Sequence, residues 1–201
     1  LGWLVGHAAV KVKKLDRTVV VKGLSEREVP ADIAIWPLTY QEASNDLNAL
    51  FDSLQRKNAL ITQFLAGHGI APAAISVAAP TVNDLYAQSY GDKSNIVYRY
   101  TASSTVTVYS NDVEAVREAM KDVITLGKQG VALSGEGYQN QTQFEFSGLA
   151  KLKPEMIEEA TKNARSVAEK FAEDSDSRLG KISSAQQGQF SIENRDSTTP
   201  H

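Results

Sequence analysis

Apolar and polar positions along the chain alternate in stretches of two kinds, one with the period of a strand and one with the period of a helix. Residues 18–22 (TVVVK) are mostly β-branched and predict a strand that Gly23 ends. A second strand is predicted over about residues 28–40, where Pro30 and Pro37 point to an edge position or bulges. Leu47, Leu50, Phe51, Leu54, Ile61, Phe64 and Leu65 recur at helical spacing, so a long helix is expected over roughly 43–66, stopped by Gly67 and Gly69. Residues 70–79 read as a strand, and 80–94 as an irregular excursion or a strand pair. The strongest strand signal is 96–109, in which Ile96, Tyr98, Tyr100, Ala102, Val106 and Val108 share one face. Its length calls for a bend. A shorter helix opens at Asn111, with Glu114 three residues on as in a capping box, and carries Val113, Val116, Met120 and Val123 up to Gly127 or Gly130. Residues 131–146 are strand-like in two pieces. A second long helix spans 149–174, with Pro154 taken as part of its first turn and a narrow stripe of Ile157, Ala160, Ala164, Val167, Ala168 and Phe171. The last predicted strand, 181–194, carries Ile182, Phe190 and Ile192.

This order predicts an α+β fold: mixed, largely antiparallel sheets with two long helices and one shorter helix packed on them. The alternative is a doubly wound parallel sheet, which would have shorter and more continuously apolar strands. The recurring strand–helix–strand order also points to two intertwined subdomains, although no sequence repeat marks them.

Composition narrows the classes. The chain has 201 residues, 42% hydrophobic and 22% charged, which is a globular composition long enough to bury a core without staples. It has no cysteine, so disulfides, thiolate metal sites and a cysteine nucleophile are excluded. The net charge of -3 lacks the basic surplus of a nucleic-acid binder, and no nucleic-acid partner is expected. Residues 1–10 (LGWLVGHAAV) are mostly apolar but fall short of the ~20 needed to span a bilayer. Two readings stay open. They are the tail of a membrane helix, with Trp3 at the interface and Lys11, Lys13, Lys14 and Arg17 beside headgroups, or a short amphipathic arm. The lysines would more naturally face the cytoplasm, which counts against an outside location. The expected organisation is an anchor remnant or arm over 1–16 and a folded domain over 17–201.

The search for chemistry returns no catalytic, cofactor-binding or metal-binding residues. His7, His68 and His201 are not paired at metal-ligand spacing, and His68 reads as a histidine complementing a helix C-terminus. Gly67-His68-Gly69 ends a helix, whereas a dinucleotide loop opens one. Gly135-Glu136-Gly137 reads as a bulge or turn. Asp174 and Asp176 lack the alternating pattern of a calcium loop. The densest aromatic set is Tyr86, Tyr90, Tyr98 and Tyr100. It reads either as a sheet face packed under the excursion or as an exposed groove or subunit contact, and with Trp36 it forms the candidate interaction surface.

Two stretches carry a family resemblance. VVVKGLSEREVPADIAIWPL resembles the opening of SIMPL domain proteins: a strand, a glycine, a valine-rich stretch and a Pro/Ala-Asp-x-Ala segment. LKPEMIEEATKNARSVAEKFAEDSDSRLGKISSAQQGQFSI resembles the family's closing helix, Asp-Ser turn, Leu-Gly-Lys-Ile and strand. The resemblance covers about residues 17–195, and its motifs are structural. It implies a bacterial cell-envelope protein on the periplasmic side, held here by an N-terminal membrane helix that includes residues 1–10. It also implies an α+β fold, a homo-oligomer, and a link to stress response or envelope integrity, with no catalytic residues to carry over. The family's further valine-rich strand is missing, so the last strand is expected to be truncated and to leave an open sheet edge. The functional expectation is a non-enzymatic, self-associating envelope protein. The alternative is a small-ligand binding module with a pocket near Tyr86, Tyr90 and Trp36, and an enzyme is the least favoured class.

Overall fold

The structure, a computed structural model, describes residues 18–88, 95–134 and 141–193. The chain forms two compact units. One is Val29–Ser147, and the other is built from both chain ends, Leu1–Glu28 with Gly148–His201. Residues 1–10, the candidate anchor, lie outside the described residues, as do Gly135-Glu136-Gly137.

In the Val29–Ser147 unit, β1 (Ile33–Ser44) and β4 (Tyr100–Ser110) pair antiparallel along almost their whole length. β2 (Ile75–Val77) and β3 (Thr81–Asp84) pair with the other edge of β4, and β5 (Gln143–Glu145) pairs with β1. Every pairing is antiparallel, in the order β2-β4-β1-β5 with β3 also on β4. β2 and β3 are two pieces of one edge, separated by Ala78, Ala79 and Pro80, and proline has no N–H to give a ladder. The connections are α1 (Leu47–Gly67), a single turn α2 (Leu85–Gln88), α3 (Val113–Lys121) and α4 (Ile124–Lys128). This is the chain order of a split β-α-β domain.

The core follows from alternation. Ala34, Trp36, Leu38 and Tyr40 of β1 share a face with Ala102, Ser104, Val106 and Val108 of β4. That face packs under Leu50, Leu54, Ile61 and Leu65 of α1, with Val116 and Ala119 of α3. The Tyr40 hydroxyl is buried with them, within 2.9 Å of both the Leu54 carbonyl and Asn58 Oδ1. The opposite face is rich in hydroxyls: Thr39, Thr101, Ser103, Thr105 and Thr107, with Thr39 and Thr105 Oγ1 atoms 2.8 Å apart.

The second strand lies later than its sequence pattern suggests, at Ile33–Ser44, and it is flanked on both sides instead of forming an edge. Pro37 is tolerated there because of parity. Ser134 N–H donates to the Thr39 carbonyl, so the odd-numbered backbone groups of β1 face away from β4. Pro37 shares that parity, and its missing donor leaves the β1–β4 ladder intact. The strand β4 begins at Tyr100, which leaves Ile96 and Tyr98 outside it. The N-cap of α3 is Asp112, whose side chain accepts from Ala115 N–H at 3.0 Å; Asn111 precedes the cap.

Two glycines stop helices as their sequence positions suggest. Gly69 (φ 79°) and Gly130 (φ 87°) take the left-handed position after α1 and α4. Each following residue, Ile70 and Val131, then donates back to a buried leucine carbonyl, Leu65 and Leu126. Between the two glycines of the first stop, His68 donates from Nδ1 to the Phe64 carbonyl (2.9 Å) and reaches Asp122 Oδ2 with Nε2 (3.1 Å). The Phe64 carbonyl, and then Asp122, raise the His68 pKa above its ordinary value. A raised folded pKa means that this contact stabilises fully below the unfolded pKa and fades as pH climbs through the folded one. Replacing His68 with Asn is therefore expected to cost more stability at about pH 5.5 than at about pH 8.5, on either side of the ordinary histidine value. Urea midpoints of both proteins at the two pH values check this, and an equal loss at both would contradict it.

At the open end of the unit, the Asp32 carboxylate accepts from Ser147 N–H (2.8 Å) and Ser147 Oγ–H (2.7 Å), while Asp32 N–H donates to the Glu145 carbonyl. Ser147 hydrogen-bonding holds the Asp32 pKa below the ordinary carboxylate range. The two points where the chain enters and leaves the unit are thus tied to each other.

The unit built from the chain ends contains α5 (Leu149–Asp174), with the bounds its periodicity predicts. Pro154 is its sixth residue, past the first turn in which proline fits freely, so the helix forgoes one backbone bond there. Asp176 (φ 49°) takes the left-handed position after α5, and Ser177 N–H donates to the Ala172 carbonyl at 2.8 Å. Residues 18–28 contact α5, and among the described residues neither they nor 181–193 join a sheet. Gly23 sits on the helix backbone at Ala160, Asn163 Nδ2 donates to the Leu24 carbonyl (2.9 Å), and Arg27 pairs with Glu155 (2.7 Å). Among the described residues, no helix is long and apolar enough to cross a membrane.

Candidate functional site

One end of the antiparallel sheet collects most of the aromatic set singled out in the sequence. β1 finishes there at Ser44, β3 at Asp84, and β4 starts at Tyr100, all in register. Arg99 is the residue that organises this end. Its guanidinium forks the Asp84 carboxylate, with Nε 3.2 Å from both oxygens and Nη2 2.9 Å from Oδ2. Its Cζ lies 4.8 Å from the Tyr100 ring centroid and 5.5 Å from that of Tyr86, a cation between two aromatic rings. The Arg99 hydrogen bonds hold the Asp84 carboxyl below its usual range, and Asp84 in turn raises Arg99. The backbone is pinned as well. Asn45 Oδ1 accepts from Arg99 N–H (2.9 Å), its Nδ2 donates to the Val97 carbonyl (3.4 Å), and Leu85 N–H donates to the Arg99 carbonyl (2.8 Å).

The clamp neutralises its own charge and fixes the chain on both sides of the excursion. What it leaves outward is apolar: Val97 at 76% exposure and Tyr98 at 48%. Leu47 and Phe51, on the first turns of α1 just after Asn45, are also exposed, although the helical pattern groups them with the core stripe. A rigid backbone with uncharged, partly aromatic side chains suits contact with another macromolecule. Among the described residues it offers no nucleophile–base pair.

The five expected surface residues divide. Tyr86 and Tyr98 are exposed at this end, and Tyr100 is half-buried, packed against the core with its ring on Arg99. Tyr90 lies outside the described residues. Trp36 is a correction: it is 6% exposed on the core face of β1, so it lines neither the surface nor the ligand pocket expected from Tyr86, Tyr90 and Trp36. Its even parity with Ala34, Leu38 and Tyr40 is the signal that places it inside. Arg99, Asp84 and Asn45 escape sequence reading. A lone arginine between two tyrosines (Tyr98-Arg99-Tyr100) is the one local hint, since its partners come from other strands and loops.

The other polar clusters have local structural roles. Glu155 and Glu159 face Arg27, and the Asp174–Asp176 region forms the end of α5. Among the described residues, no group of three or more His, Asp or Glu side chains could hold a metal ion.

Comparison with known proteins adds one match. No curated protein matches the chain. The family described as "SIMPL: Protein of unknown function (DUF541)" matches residues 19–200, nearly the whole sequence, in agreement with the resemblance of the opening and closing stretches. The chain belongs to the SIMPL family.

Proposed function

We propose that this chain is a non-enzymatic contact protein of the bacterial cell envelope, exposed on the periplasmic side, tethered through an N-terminal membrane helix and self-associating, with a role in stress response or envelope integrity. The observation that carries the reading is the Arg99-clamped end of the sheet. There a rigid backbone displays Val97 and Tyr98 with no charge of its own left over. The titratable groups point the same way. His68, Asp32 and Asp84 each spend their hydrogen bonds on fixing nearby chain segments, so none is poised toward an open cleft as a general acid or base would be. Light scattering across a concentration series tests self-association. The expected result is a mass above that of one chain, rising with concentration, and a strictly monomeric protein at the highest concentration would overturn it.

A further inference from the structure

The face of the sheet turned away from the α1 core can be read from the strand register, because residues paired across antiparallel strands project to the same side. Gln143, Ile35 and Tyr109 form one row across β5, β1 and β4. Toward Thr101, the rows that follow pair Thr107 with Pro37, Thr105 with Thr39 and Ser103 with Gln41. Ser76, Thr81 and Asn83 extend them onto β2 and β3. Although 22% of the chain is charged, no residue in these rows carries a charge. The first charged side chain on this side is Glu145, one row beyond Gln143 and opposite Ile33. The strip is accessible. Tyr109 is 53% exposed, and Gln41, Asn83 and Gln143 are exposed with it. Thr101, Ser103 and Thr107 are half-buried, and their hydroxyls bond to no other described residue, which leaves them to water.

This chemistry narrows the partner. An anionic polymer finds no cation here, and a metal ion finds no carboxylate. A protein partner is poorly matched, since protein interfaces are depleted in serine and draw their energy from aromatic and arginine anchors. Hydroxyls and amides that can both donate and accept match a ligand carrying the same groups and no charge. Tyr109, Ile35 and Pro37 add an apolar band at one end, suited to C–H groups. From Tyr109 to Thr101 the strip runs roughly 27 Å, at about 3.4 Å per residue, the length of several sugar rings in line.

We propose that this strip binds an extended, neutral polysaccharide. Its hydroxyls and amides exchange bound water for sugar hydroxyls, and the Tyr109 ring stacks on the C–H face of one sugar. This partner is additional to the self-association proposed above and independent of it, because Val97 and Tyr98 precede β4 and belong to none of these rows.

Affinity electrophoresis of the full chain tests the proposal, in native gels containing hydroxyethylcellulose, laminarin or glycol chitin, with anionic polygalacturonate as the charged comparison. At least one neutral polymer is expected to retard the protein, equally at about 50 and 500 mM salt, because no ion pair is involved. Tyr109→Ala is expected to weaken that binding at least about tenfold. Thr107→Val, which keeps the shape and removes the hydroxyl, is expected to weaken it about threefold or more. Phe171→Ala, an exposed aromatic residue on α5, should leave it unchanged. Urea midpoints equal to the wild type show that the variants are folded. No retardation by any of the three neutral polymers would overturn the proposal and leave self-association standing. Retardation that survives both Tyr109→Ala and Thr107→Val would overturn this strip as the site. Stronger binding to polygalacturonate that fades with salt would overturn uncharged recognition.

Discussion

Gly23→Val is expected to release residues 18–27 from α5, with trypsin cutting after Lys22 and Arg27 at least tenfold faster than in the wild type. The reason is geometric. A Cβ at position 23 would overlap the Ala160 carbonyl oxygen and come within 2.7 Å of its carbon and 3.0 Å of Ala164 N. These are helix backbone atoms that cannot rotate aside, so Gly23→Ala is expected to act in the same direction. Against the clash stand the bonds that seat the arm: Asn163 to the Leu24 carbonyl, Ser25 to Glu159 and Arg27 to Glu155, all exposed to solvent. Exposed contacts of this kind contribute about 0.2–1 kcal/mol each, whereas forcing atoms into a packed site costs about 1–3 kcal/mol or more. The arm therefore yields before the helix does. Urea unfolding of the Val29–Ser147 unit should be unchanged, because the atoms that the new Cβ meets belong to Ala160 and Ala164 of α5. Cleavage at the wild-type rate would mean that the arm is not seated on Ala160.

Trp36→Ala is expected to lower the stability of the Val29–Ser147 unit by about 3–5 kcal/mol, the usual cost of truncating a large aromatic residue in a core. Trp36 faces the interior beside Ala34 and Leu38 and opposite Val108, in a cluster that also holds Leu50, Leu54 and Val116. The surrounding strands are hydrogen-bonded on both sides and α1 is capped at both ends, so the site has little freedom to collapse into the space left behind. The measurement is urea unfolding followed by far-ultraviolet circular dichroism, since the substitution removes one of the chain's two tryptophans. Tyr98→Ala gives the contrast: an exposed side chain outside any strand should change stability by no more than about 0.5 kcal/mol. If Trp36 served instead as a contact side chain, its loss would weaken association and leave the unfolding midpoint where it was.

Much of the fold is legible in the sequence wherever local rules and burial agree. α5 is bounded as its periodicity predicts, and the glycine stops after α1 and α4 follow from conformational freedom alone. The α+β class and the antiparallel character of the sheet also follow from patterning. Disagreements arise where a residue's role depends on a distant partner. Residues 18–22 and the described part of 181–194 have strand composition, but a strand exists only when another strand supplies its ladder, and none of the described residues does so here. Pro37 suggests an edge because composition cannot reveal which side of β1 its missing N–H would face. The apolar stripe of α1 includes Leu47 and Phe51 by spacing, yet they stay exposed. In the candidate site, the tyrosines can be read from their density. The Arg99 clamp cannot, because Asp84 lies 15 residues away and Asn45 lies 54 away.

The discontinuous unit also sets an order of events during synthesis. Arg27 and its partner Glu155 are separated by 128 residues. At ~5–20 residues per second, the arm leaves the ribosome roughly 6–25 s before its helix exists. Val29–Ser147 is contiguous, so its sheet can close within that interval, while Val19 and Val20 wait in the open on the upstream side. A chain translated among its neighbours on one message therefore displays the unseated arm before α5 exists to hold it. Slowing initiation, which spaces the nascent chains apart, should raise the soluble yield more than slowing elongation, which lengthens the wait.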